Sequence, residues 1–318
     1  MSLPHALIVA GPTASGKSAL ALDLAERLGG TIVNADSMQI YGELRILTAR
    51  PTRAEEARVP HCLYGIRAAA EAGSAAWWRG AALAAMGDAV GAGRLPILTG
   101  GSGLYFTALT EGLAGIPAAT AEARTEARTL LARLGAPALH HSLARADPAT
   151  AAMLNPNDSQ RVARAWEVWR STGIGLATWQ AERGQPAQYR FTAILLDPPR
   201  EQLRLAIASR LRSMLAEGAL DEVRALLGQG LDPALPAMRA HGVRELALYL
   251  SGEVILDEAT RRTELVTAQY TKRQATWFRH HALAAADRTR TIASRYSGSA
   301  QLPERQLDQI ITFIRAPG

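Results

Sequence analysis

Residues 6–28, ALIVAGPTASGKSALALDLAERL, constrain the fold of this chain of 318 residues more than any other stretch. Gly11–Ser18 match the P-loop pattern G-x-x-x-x-G-K-[ST], between a short apolar run and a segment with apolar positions at helical spacing. In a P-loop, backbone N–H groups and the following helix N-terminus form a hole for phosphate. Lys17 adds a point charge, and the Ser18 hydroxyl normally ligates Mg²⁺. The motif leaves open whether the ligand is a nucleoside triphosphate or another diphosphate.

Strand-like and helix-like segments alternate along the first hundred residues. The pattern predicts strands at 6–10, 31–37 and 95–103, with helices at 16–28 and 75–90. Such alternation indicates a parallel sheet, whose ligands lie beyond the carboxyl ends of the strands. These ends carry Pro12, Asp36 and the glycine-rich run Gly100–Gly103, so we expect them to converge on one site.

The character of the sequence changes at about residue 116. From there to 189, strand-like runs give way to Ala- and Arg-rich helical segments, which predict an all-helical insert. The segment 191–197 then returns to a strand, and helices, a short strand and a last helix follow. The predicted fold class is α/β, with a P-loop NTPase-like parallel sheet core (1–115 and 190–318) and an all-helical insert domain (116–189).

Composition excludes several classes of protein. A single cysteine, Cys62, excludes an internal disulfide framework and a multi-cysteine zinc module. No apolar stretch approaches the ~18 residues of a membrane span, and the first apolar run leads directly into the P-loop, unlike a signal peptide. We therefore expect a cytoplasmic protein without a membrane partner. The net charge of +6 permits a polyanionic partner. Only Lys17 and Lys272 are lysines, and the other basic residues are arginines.

Two strand ends carry polar side chains whose role the residues alone leave open. Asp36, in NADSMQIY, fits a base, a metal ligand or the cap of a helical turn at 38–41. Ser102, in TGGSGLYF, can donate or accept a proton where glycines allow close approach to a ligand. The same run is also explained by a plain tight turn into a helix that begins near Leu104.

Two segments combine arginines with aromatic residues at helical spacing. Residues 157–170 place Arg161 and Arg164 among Trp166 and Trp169, and residues 269–281 carry further basic and aromatic side chains. Basic side chains interleaved with aromatics suit phosphate contact and base stacking in RNA recognition. The alternative is a solvated basic face with the tryptophans buried behind it.

These pieces, in this order, resemble the tRNA dimethylallyltransferases, also called tRNA isopentenyltransferases. The stretches that carry the resemblance are GPTASGKS, NADSMQIY, TARPT with VPHCLYGI, PILTGGSGLYFTAL, NPNDSQRVARAWEV, MRAHGVREL and YTKRQATWFR, from position 11 to 279. The resemblance implies that the P-loop binds the pyrophosphate of dimethylallyl diphosphate. It also implies that the prenyl group goes to N6 of an adenosine beside the anticodon of a tRNA.

The resemblance also implies roles for the site residues. Asp36 is then the general base or acceptor for the adenine amino group, while Lys17, Ser18 and Mg²⁺ neutralise the departing pyrophosphate. The hydroxyl of Ser102, where the family usually has Thr, contacts the leaving group and substrate. The residues expected to bind the diphosphate are Gly11, Pro12, Thr13, Ala14, Ser15, Gly16, Lys17, Ser18 and Arg210, with Ser18 as the metal ligand.

Transfer to a stacked anticodon-loop base requires that base to be flipped into a pocket. The resemblance implies a channel that the base and the allylic diphosphate enter from opposite sides, and an insert that clasps the anticodon stem-loop. The residues expected to bind tRNA are Asp36, Ser37, Met38, Gln39, Ser102, Arg124, Gln160, Arg161, Arg164, Arg244, Lys272, Arg273, Trp277 and Arg279.

The sequence departs from the family pattern at three places. Val243 stands where an aromatic is expected, Cys62 where a second His is common, and Ala206 where an arginine is frequent. The last departure makes Arg210 the arginine expected on the pyrophosphate side. The chain has no cysteines for the C-terminal zinc finger of eukaryotic relatives, so it is similar to the bacterial form.

Two other classes of protein remain as alternatives. A P-loop kinase acting on a small molecule or nucleotide would need a Walker-B-type acid, which Asp197 at the end of AILLD could supply. It leaves the strand-end glycine turn and the two Arg/Trp helices without a role. A non-catalytic RNA-binding module explains the basic helices and leaves the P-loop and Asp36 unused. We expect a monomer.

Overall fold

Six parallel strands form the centre of the molecule. The computed structural model describes residues 3–182, 184–298 and 304–316. In the described residues the sheet has the order β3-β2-β4-β1-β5-β6, and every neighbouring pair is parallel. The strands are β1 (His5–Ala10), β2 (Gly30–Asn34), β3 (His61–Cys62), β4 (Leu95–Gly100), β5 (Arg190–Leu196) and β6 (Thr289–Ile292). The predicted α/β class with a parallel sheet is confirmed.

Helices surround this sheet and form a separate unit between β4 and β5. They are α1 (Lys17–Leu28), α2 (Arg53–Arg58), α3 (Ala75–Gly91), α4 (Gly103–Thr110), α5 (Ala121–Leu134), α6 (Ala136–Ala146), α7 (Pro148–Ala152), α8 (Ser159–Thr172), α9 (Leu176–Ala181), α10 (Arg200–Ala216), α11 (Ala219–Leu227), α12 (Val243–Leu250), α13 (Leu256–His280) and α14 (Glu304–Arg315), with short 3₁₀ turns at Ala237–Arg239 and Ala286–Arg288.

The central strand β1 is buried on both faces. Its even residues, such as Ile8, pack in a cluster with Trp78 of α3 and Phe106 of α4. Its odd residues, such as Leu7, pack in a second cluster with Leu20 of α1 and residues of α14. Because successive side chains of a strand point to opposite faces, an unbroken apolar run is required here. The P-loop therefore follows a central strand that is packed on both faces.

The helical unit comprises Glu111–Pro186 and contains α5 to α9. Its own small core contains Leu143, Ala165 and Val168. Helices α5 and α8 both begin at side-chain caps, where Thr120 accepts from the Ala123 N–H and Asp158 accepts from the Arg161 N–H. The unit is all-helical in its described residues, as predicted, and begins five residues earlier and ends three residues earlier than the predicted 116–189.

Strand β2 is shorter than predicted. It ends at Asn34 and not at residue 37. The Asn34 side chain bonds both the N–H and the carbonyl of Asp36, so these backbone groups do not extend the hydrogen bonds to the neighbouring strand. Strand β4 likewise ends at Gly100, and α4 starts at Gly103. Residues 38–41 form a turn and not the expected helical turn. Asp36 therefore lies on a loop beyond the strand.

Candidate functional site

The P-loop has the backbone conformation that its glycines predict. Ala14 and Gly16 have φ values of 67° and 91°, in the left-handed region, and the Ser15 N–H donates to the Pro12 carbonyl at 3.2 Å. A Cβ on Gly11 would lie 2.8 Å from the carbonyl oxygen of Leu196 in β5. The first glycine of the motif is therefore required by close packing against a neighbouring strand.

A segment after β6 crosses the P-loop. The Tyr296 N–H donates to the Ser15 carbonyl at 2.9 Å, and the Arg295 guanidinium donates through Nε to the Ala14 carbonyl at 3.0 Å. The Tyr296 carbonyl lies only 1.8 Å from where a Cβ on Gly16 would be. The carbonyls of two P-loop residues, Ala14 and Ser15, are thus held by residues that are about 280 positions away in the sequence.

Lys17 is buried at the first turn of α1. Its ammonium donates to the Pro12 carbonyl at 3.4 Å. Burial lowers the pKa of Lys17 to about 8, which the charge of Asp36 opposes and the charge of Arg210 reinforces. A buried ammonium with few partners is ready to bind an anion, because the anion restores the favourable interactions that burial removed.

Asp36 is held in a turn by hydrogen bonds from its neighbours. Its Oδ1 accepts from the Met38 N–H at 3.0 Å, and its own N–H donates to Asn34 Oδ1 at 2.8 Å. The Ser37 N–H donates to Ser102 Oγ at 2.9 Å. One carboxylate oxygen thus caps the turn, as the sequence allowed, and the Asp36 side chain also lines the cavity described next. Capping and proton acceptance are therefore compatible in the same side chain.

Asp36, Lys17 and Ser18 line a single cavity. Its floor is apolar, formed by side chains such as Leu47, Ile207 and Met214. A second cavity shares Lys17, Ser18 and Arg210 with the first and is lined by more cations. The predicted convergence of P-loop and Asp36 is thus what the structure shows, with the P-loop lysine and serine at the junction of two cavities.

Arg210 of α10 lies where the P-loop function needs a cation. Its Nη2 donates to the Thr48 carbonyl at 3.2 Å, and its side chain lines both cavities beside Lys17. Burial lowers the pKa of Arg210, and the charge of Asp36 opposes this shift. A guanidinium remains ionised despite such a shift, so it contributes a fixed positive charge.

The glycine turn after β4 connects the two halves of the site. A Cβ on Gly100 would lie 2.0 Å from the Ala35 carbonyl oxygen, which also accepts from the Ser102 N–H at 3.2 Å. The glycines therefore permit contact with the Asp36 turn, in addition to shaping a tight turn. Ser102 uses its hydroxyl to hold that turn, and this contact supports its assignment to the site.

Three residues of the site were missed by the sequence analysis. His241 and Tyr270 line the Asp36 cavity, with their ring centroids 4.6 Å apart. Burial lowers the pKa of His241 and raises that of Tyr270, so both rings are neutral at pH 7. Gln274 bonds both the P-loop and the β4 turn. The signal was the spacing of four residues between Tyr270 and Gln274 within YTKRQATWFR, which places both side chains on one side of a helix.

Gln39 is used inside the protein. Its side chain is buried, and Nε2 donates to the carbonyls of Thr48 and Ala49 at 2.9 Å each. Both bonds close the loop that carries Thr48 and Ala49 over the first cavity. In this structure the amide nitrogen of Gln39 is therefore already used by protein carbonyls and is not offered to tRNA.

Seven of the fourteen residues expected to bind tRNA are exposed, and all seven lie on helices. In the helical unit, Arg161 is 76% exposed and pairs with Asp158, and Arg164 pairs with Glu167. On α13, Arg279 donates to both carboxylate oxygens of Asp197 at 2.9 and 3.0 Å. The remaining exposed residues of this group are Arg124, Gln160, Arg244, Lys272 and Arg273, and Trp277, half-buried, lines a groove with Lys272 and Arg273.

The oxygen donors of the site fit a magnesium ion. Ser18 is exposed at the junction of the cavities, and the buried Thr99 Oγ1, which lines the second cavity, has no hydrogen-bond partner among the described residues. Mg²⁺ prefers oxygen ligands and is usually bound by few protein groups together with substrate phosphates. In the described part of the chain, no group of three or more His, Cys, Asp or Glu side chains could hold a metal ion.

No membrane-spanning segment was expected from the sequence, and α13, with 25 residues, is the longest helix in the described part of the chain. It contains many charged residues. Within the described ranges, no helix is both long and apolar enough to cross a membrane.

The fold and the site define a P-loop α/β enzyme in which a carboxylate and a buried ammonium face one cavity. Family models agree with this class and specify it. Residues 39–281 match the model described as IPP transferase, and residues 4–64 match the model described as isopentenyl transferase. The chain belongs to the tRNA dimethylallyltransferase family, a family of prenyltransferases, as its sequence motifs predicted.

Relatives and solved structures extend this likeness over the whole chain. The chain is 59% identical to a tRNA dimethylallyltransferase of Granulibacter bethesdensis over 99% of both proteins. It is 57% identical to one of Gluconobacter oxydans, over 99% of this chain and 95% of that protein. A full-length tRNA isopentenylpyrophosphate transferase of Bacillus halodurans is 32% identical with a TM-score of 0.68, covering 98% of this chain and 95% of that one.

A eukaryotic dimethylallyltransferase acting on tRNA gives a TM-score of 0.72 at 25% identity, over 86% of this chain and 69% of that one. These comparisons support prenyl transfer and not the kinase alternative. In the structure, Asp197, the acid that a kinase would need, is paired with Arg279.

Proposed function

We propose that the protein transfers the dimethylallyl group of dimethylallyl diphosphate to N6 of the adenosine at position 37 of tRNA, and releases pyrophosphate. One observation carries this proposal: Asp36, Lys17 and Ser18 line the same cavity. A proton acceptor for the attacking amine and a cationic grip for the leaving diphosphate therefore face one space. The relatives' names agree with this chemistry.

The diphosphate is the leaving group, and holding its charge is the main task of the P-loop. Negative charge grows on the diphosphate as the allylic carbon–oxygen bond breaks, so fixed positive groups stabilise the transition state. Lys17 and Arg210 supply these charges, together with the N-terminus of α1. Ser18 and diphosphate oxygens would hold Mg²⁺, which supplies further charge neutralisation when bound.

Asp36 acts on the other substrate, the adenine base that accepts the prenyl group. An exocyclic adenine amine is a weak nucleophile, and its proton must leave as the carbon–nitrogen bond forms. The carboxylate oxygen of Asp36 that does not cap the turn accepts that proton. Ser102 fixes the turn by accepting from the Ser37 N–H, so its hydroxyl positions the acceptor.

The two cavities support entry from opposite sides. The Asp36 cavity has an apolar floor and the neutral rings of His241 and Tyr270, which suit a flipped base and a prenyl chain. The second cavity contains Arg45, Arg210 and Arg295, which suit the arriving diphosphate. Transfer then takes place at their junction, beside Lys17.

The tRNA is bound through the exposed basic surfaces. The helical unit, with Arg124, Gln160, Arg161 and Arg164, clasps the anticodon stem-loop, and the groove on α13 contributes Lys272, Arg273 and Trp277. Arginines contact phosphates, and the tryptophan offers a stacking face. Because tRNA is the substrate, the enzyme works in the cytoplasm, and we propose that it does so as a monomer.

A single assay tests the proposal. The protein is incubated with radiolabelled dimethylallyl diphosphate, Mg²⁺ and unmodified tRNA, without ATP. Label is expected in tRNA that carries adenosine beside the anticodon, and not in a tRNA with guanosine there. Absence of transfer would exclude the proposal, and ATP-dependent phosphorylation of a small acceptor would favour a kinase. Binding of tRNA is expected to weaken steeply with salt, as phosphate contacts require.

A further inference from the structure

Gln274 on α13 is a buried polar residue that touches both halves of the site. Its side chain is 5% exposed. Its Oε1 accepts a hydrogen bond from the Thr13 N–H of the P-loop at 2.8 Å, and its Nε2 donates to the Gly101 carbonyl at 3.0 Å. A primary amide offers one acceptor and one donor group at a fixed separation, so it can bridge an N–H and a C=O.

Gly101 is shaped to receive this amide. A Cβ at position 101 would lie 2.1 Å from Gln274 Nε2, a distance that no real contact shows, so a side chain there would displace the amide. The same helix face continues at Trp277, whose ring lies 2.3 Å from where a Cβ on Gly103 would be. Two glycines of the β4 turn are therefore required by the approach of α13.

The hydrogen bonds continue from Gly101 to the proton acceptor. The next residue, Ser102, donates its N–H to the Ala35 carbonyl at 3.2 Å and accepts from the Ser37 N–H at 2.9 Å. A chain of hydrogen bonds and short covalent steps thus leads from Thr13 through Gln274 to the backbone on both sides of Asp36. Both ends of this chain, Thr13 and Asp36, line the same cavity.

We infer that Gln274 is a positioning residue for prenyl transfer, which sets the separation between the P-loop and the Asp36 turn. This inference rests on the proposed function. The diphosphate fixes the allylic carbon relative to the P-loop, and Asp36 fixes the amine relative to its turn. The distance between carbon and nitrogen therefore depends on how the two loops are held together, and a 1 Å error can lower the rate about 100-fold.

The role of Gln274 differs from that of a binding residue. Its Oε1 occupies the Thr13 N–H, so that backbone donor is used inside the protein and not for phosphate. Its amide bonds two protein backbone groups and also the hydroxyl of Tyr270, so all three of these contacts are made within the protein. Loss of the amide should therefore leave substrate affinity almost unchanged and reduce the rate of the bound complex.

Single-turnover kinetics test this role. The rate of label transfer is measured with saturating dimethylallyl diphosphate, Mg²⁺ and tRNA, for the wild type and for Gln274→Met and Gln274→Glu. Methionine has a similar volume but makes neither hydrogen bond, whereas glutamate keeps the acceptor for the Thr13 N–H. We expect the rate to fall about 10- to 100-fold in Gln274→Met and less in Gln274→Glu, with Kd values for both substrates within about threefold of wild type.

A matched control and a second variant distinguish loss of the Gln274 contacts from a general effect of substitution. Gln309→Met makes the same exchange on an exposed position of α14 and should leave the rate unchanged. Gly101→Ala displaces the amide without altering it, so its effect should not add to that of Gln274→Met. Each variant is assayed well below its own unfolding midpoint, with the folded fraction measured by circular dichroism.

Two results would overturn the inference: a Gln274→Met rate within about threefold of wild type, or a loss confined to substrate affinity with the saturated rate preserved. Additive effects of Gly101→Ala and Gln274→Met would also contradict it. Failure of the proposed function is distinguishable, because the wild type itself would then transfer no label.

Discussion

The P-loop and the Asp36 turn face the same cavity but obtain their shapes in different ways. The P-loop takes its conformation from eight consecutive residues, with left-handed residues at Ala14 and Gly16, and bonds from Arg295 and Tyr296 then hold it. The Asp36 turn also has local bonds, but its position depends on Ser102, from the turn after β4, whose Oγ accepts from the Ser37 N–H at 2.9 Å. The comparison teaches that a phosphate grip is a local property of the chain, whereas the position of the proton acceptor is a property of the tertiary structure.

The largest expected fall in the transfer rate follows from a substitution in the Asp36 turn. Asp36→Asn keeps an oxygen for the Met38 N–H but removes the proton acceptor, so the transfer rate should fall about 10²- to 10⁴-fold. Asp36→Ala, which also removes the cap, should be no more active. Tight tRNA binding by both variants in a filter assay serves as the control. An active Asn variant beside an inactive Ala variant would show that Asp36 is only a cap.

The corresponding change in the P-loop removes its buried charge. Lys17→Met should lower kcat/KM for dimethylallyl diphosphate about 10²- to 10³-fold, because a fixed donor to the leaving group is lost. Lys272→Met, a change of the second lysine of the chain, should instead raise KM for tRNA. Equal effects of the two variants on the diphosphate would contradict the assignment of Lys17.

The pH dependence separates the two regions further. Burial lowers the pKa of Lys17 to about 8. Its ammonium therefore loses its proton as the pH rises above 8, whereas an ordinary lysine keeps its proton up to about pH 10. We expect kcat/KM for the diphosphate to fall about tenfold per pH unit above that value. The saturated rate should persist to higher pH, because a bound diphosphate raises the pKa of Lys17. A kcat/KM that is flat up to pH 10 would contradict this.

A smaller effect is expected where the two regions meet. Ser102→Ala removes the acceptor for the Ser37 N–H and loosens the Asp36 turn, so the rate should fall about tenfold. Ser102→Thr, which keeps the hydroxyl, should be close to wild type. A loss in Ser102→Ala as large as that in Asp36→Asn would show that the hydroxyl takes part in the reaction itself.

The smallest effect on catalysis is expected at Gln39. Gln39→Leu removes two hydrogen bonds, which leaves the Ala49 carbonyl without its side-chain donor and the Thr48 carbonyl with only the donor from Arg210. The free energy of unfolding should decrease by about 1–3 kcal/mol in urea titrations, with tRNA affinity close to wild type. Gln229→Leu, at an exposed position, is the control. A normal free energy of unfolding together with weakened tRNA binding would show that Gln39 contacts tRNA.

Sequence reasoning found the residues whose chemistry repeats a known pattern. The motif from Gly11 to Ser18, the strand-end acid Asp36 and the parallel sheet were all accessible from spacing and apolar runs. It overestimated strand β2, because the Asn34 side chain competes with the ladder in a way that apolar patterning does not show. It missed the short strand β3 (His61–Cys62), which is too short to give a periodic signal.

The residues that complete the site required the tertiary structure. Gln274 and Gly101 are 173 positions apart, and Arg295 and Ala14 are 281 positions apart. Hydrogen bonds over such separations depend on how a helix and a sheet edge pack, and no local pattern specifies that packing.

By itself, the sequence determined that this chain grips a phosphate group at the start of a parallel sheet and belongs to a tRNA-modifying family, since these properties reside in consecutive residues. Only the tertiary structure decided that Asp36, Lys17 and Ser18 line one cavity and that Gln274 and Ser102 connect their loops. The physical reason is that hydrogen bonds are short and directional, so the distances within the site are fixed by contacts between segments that are remote in sequence.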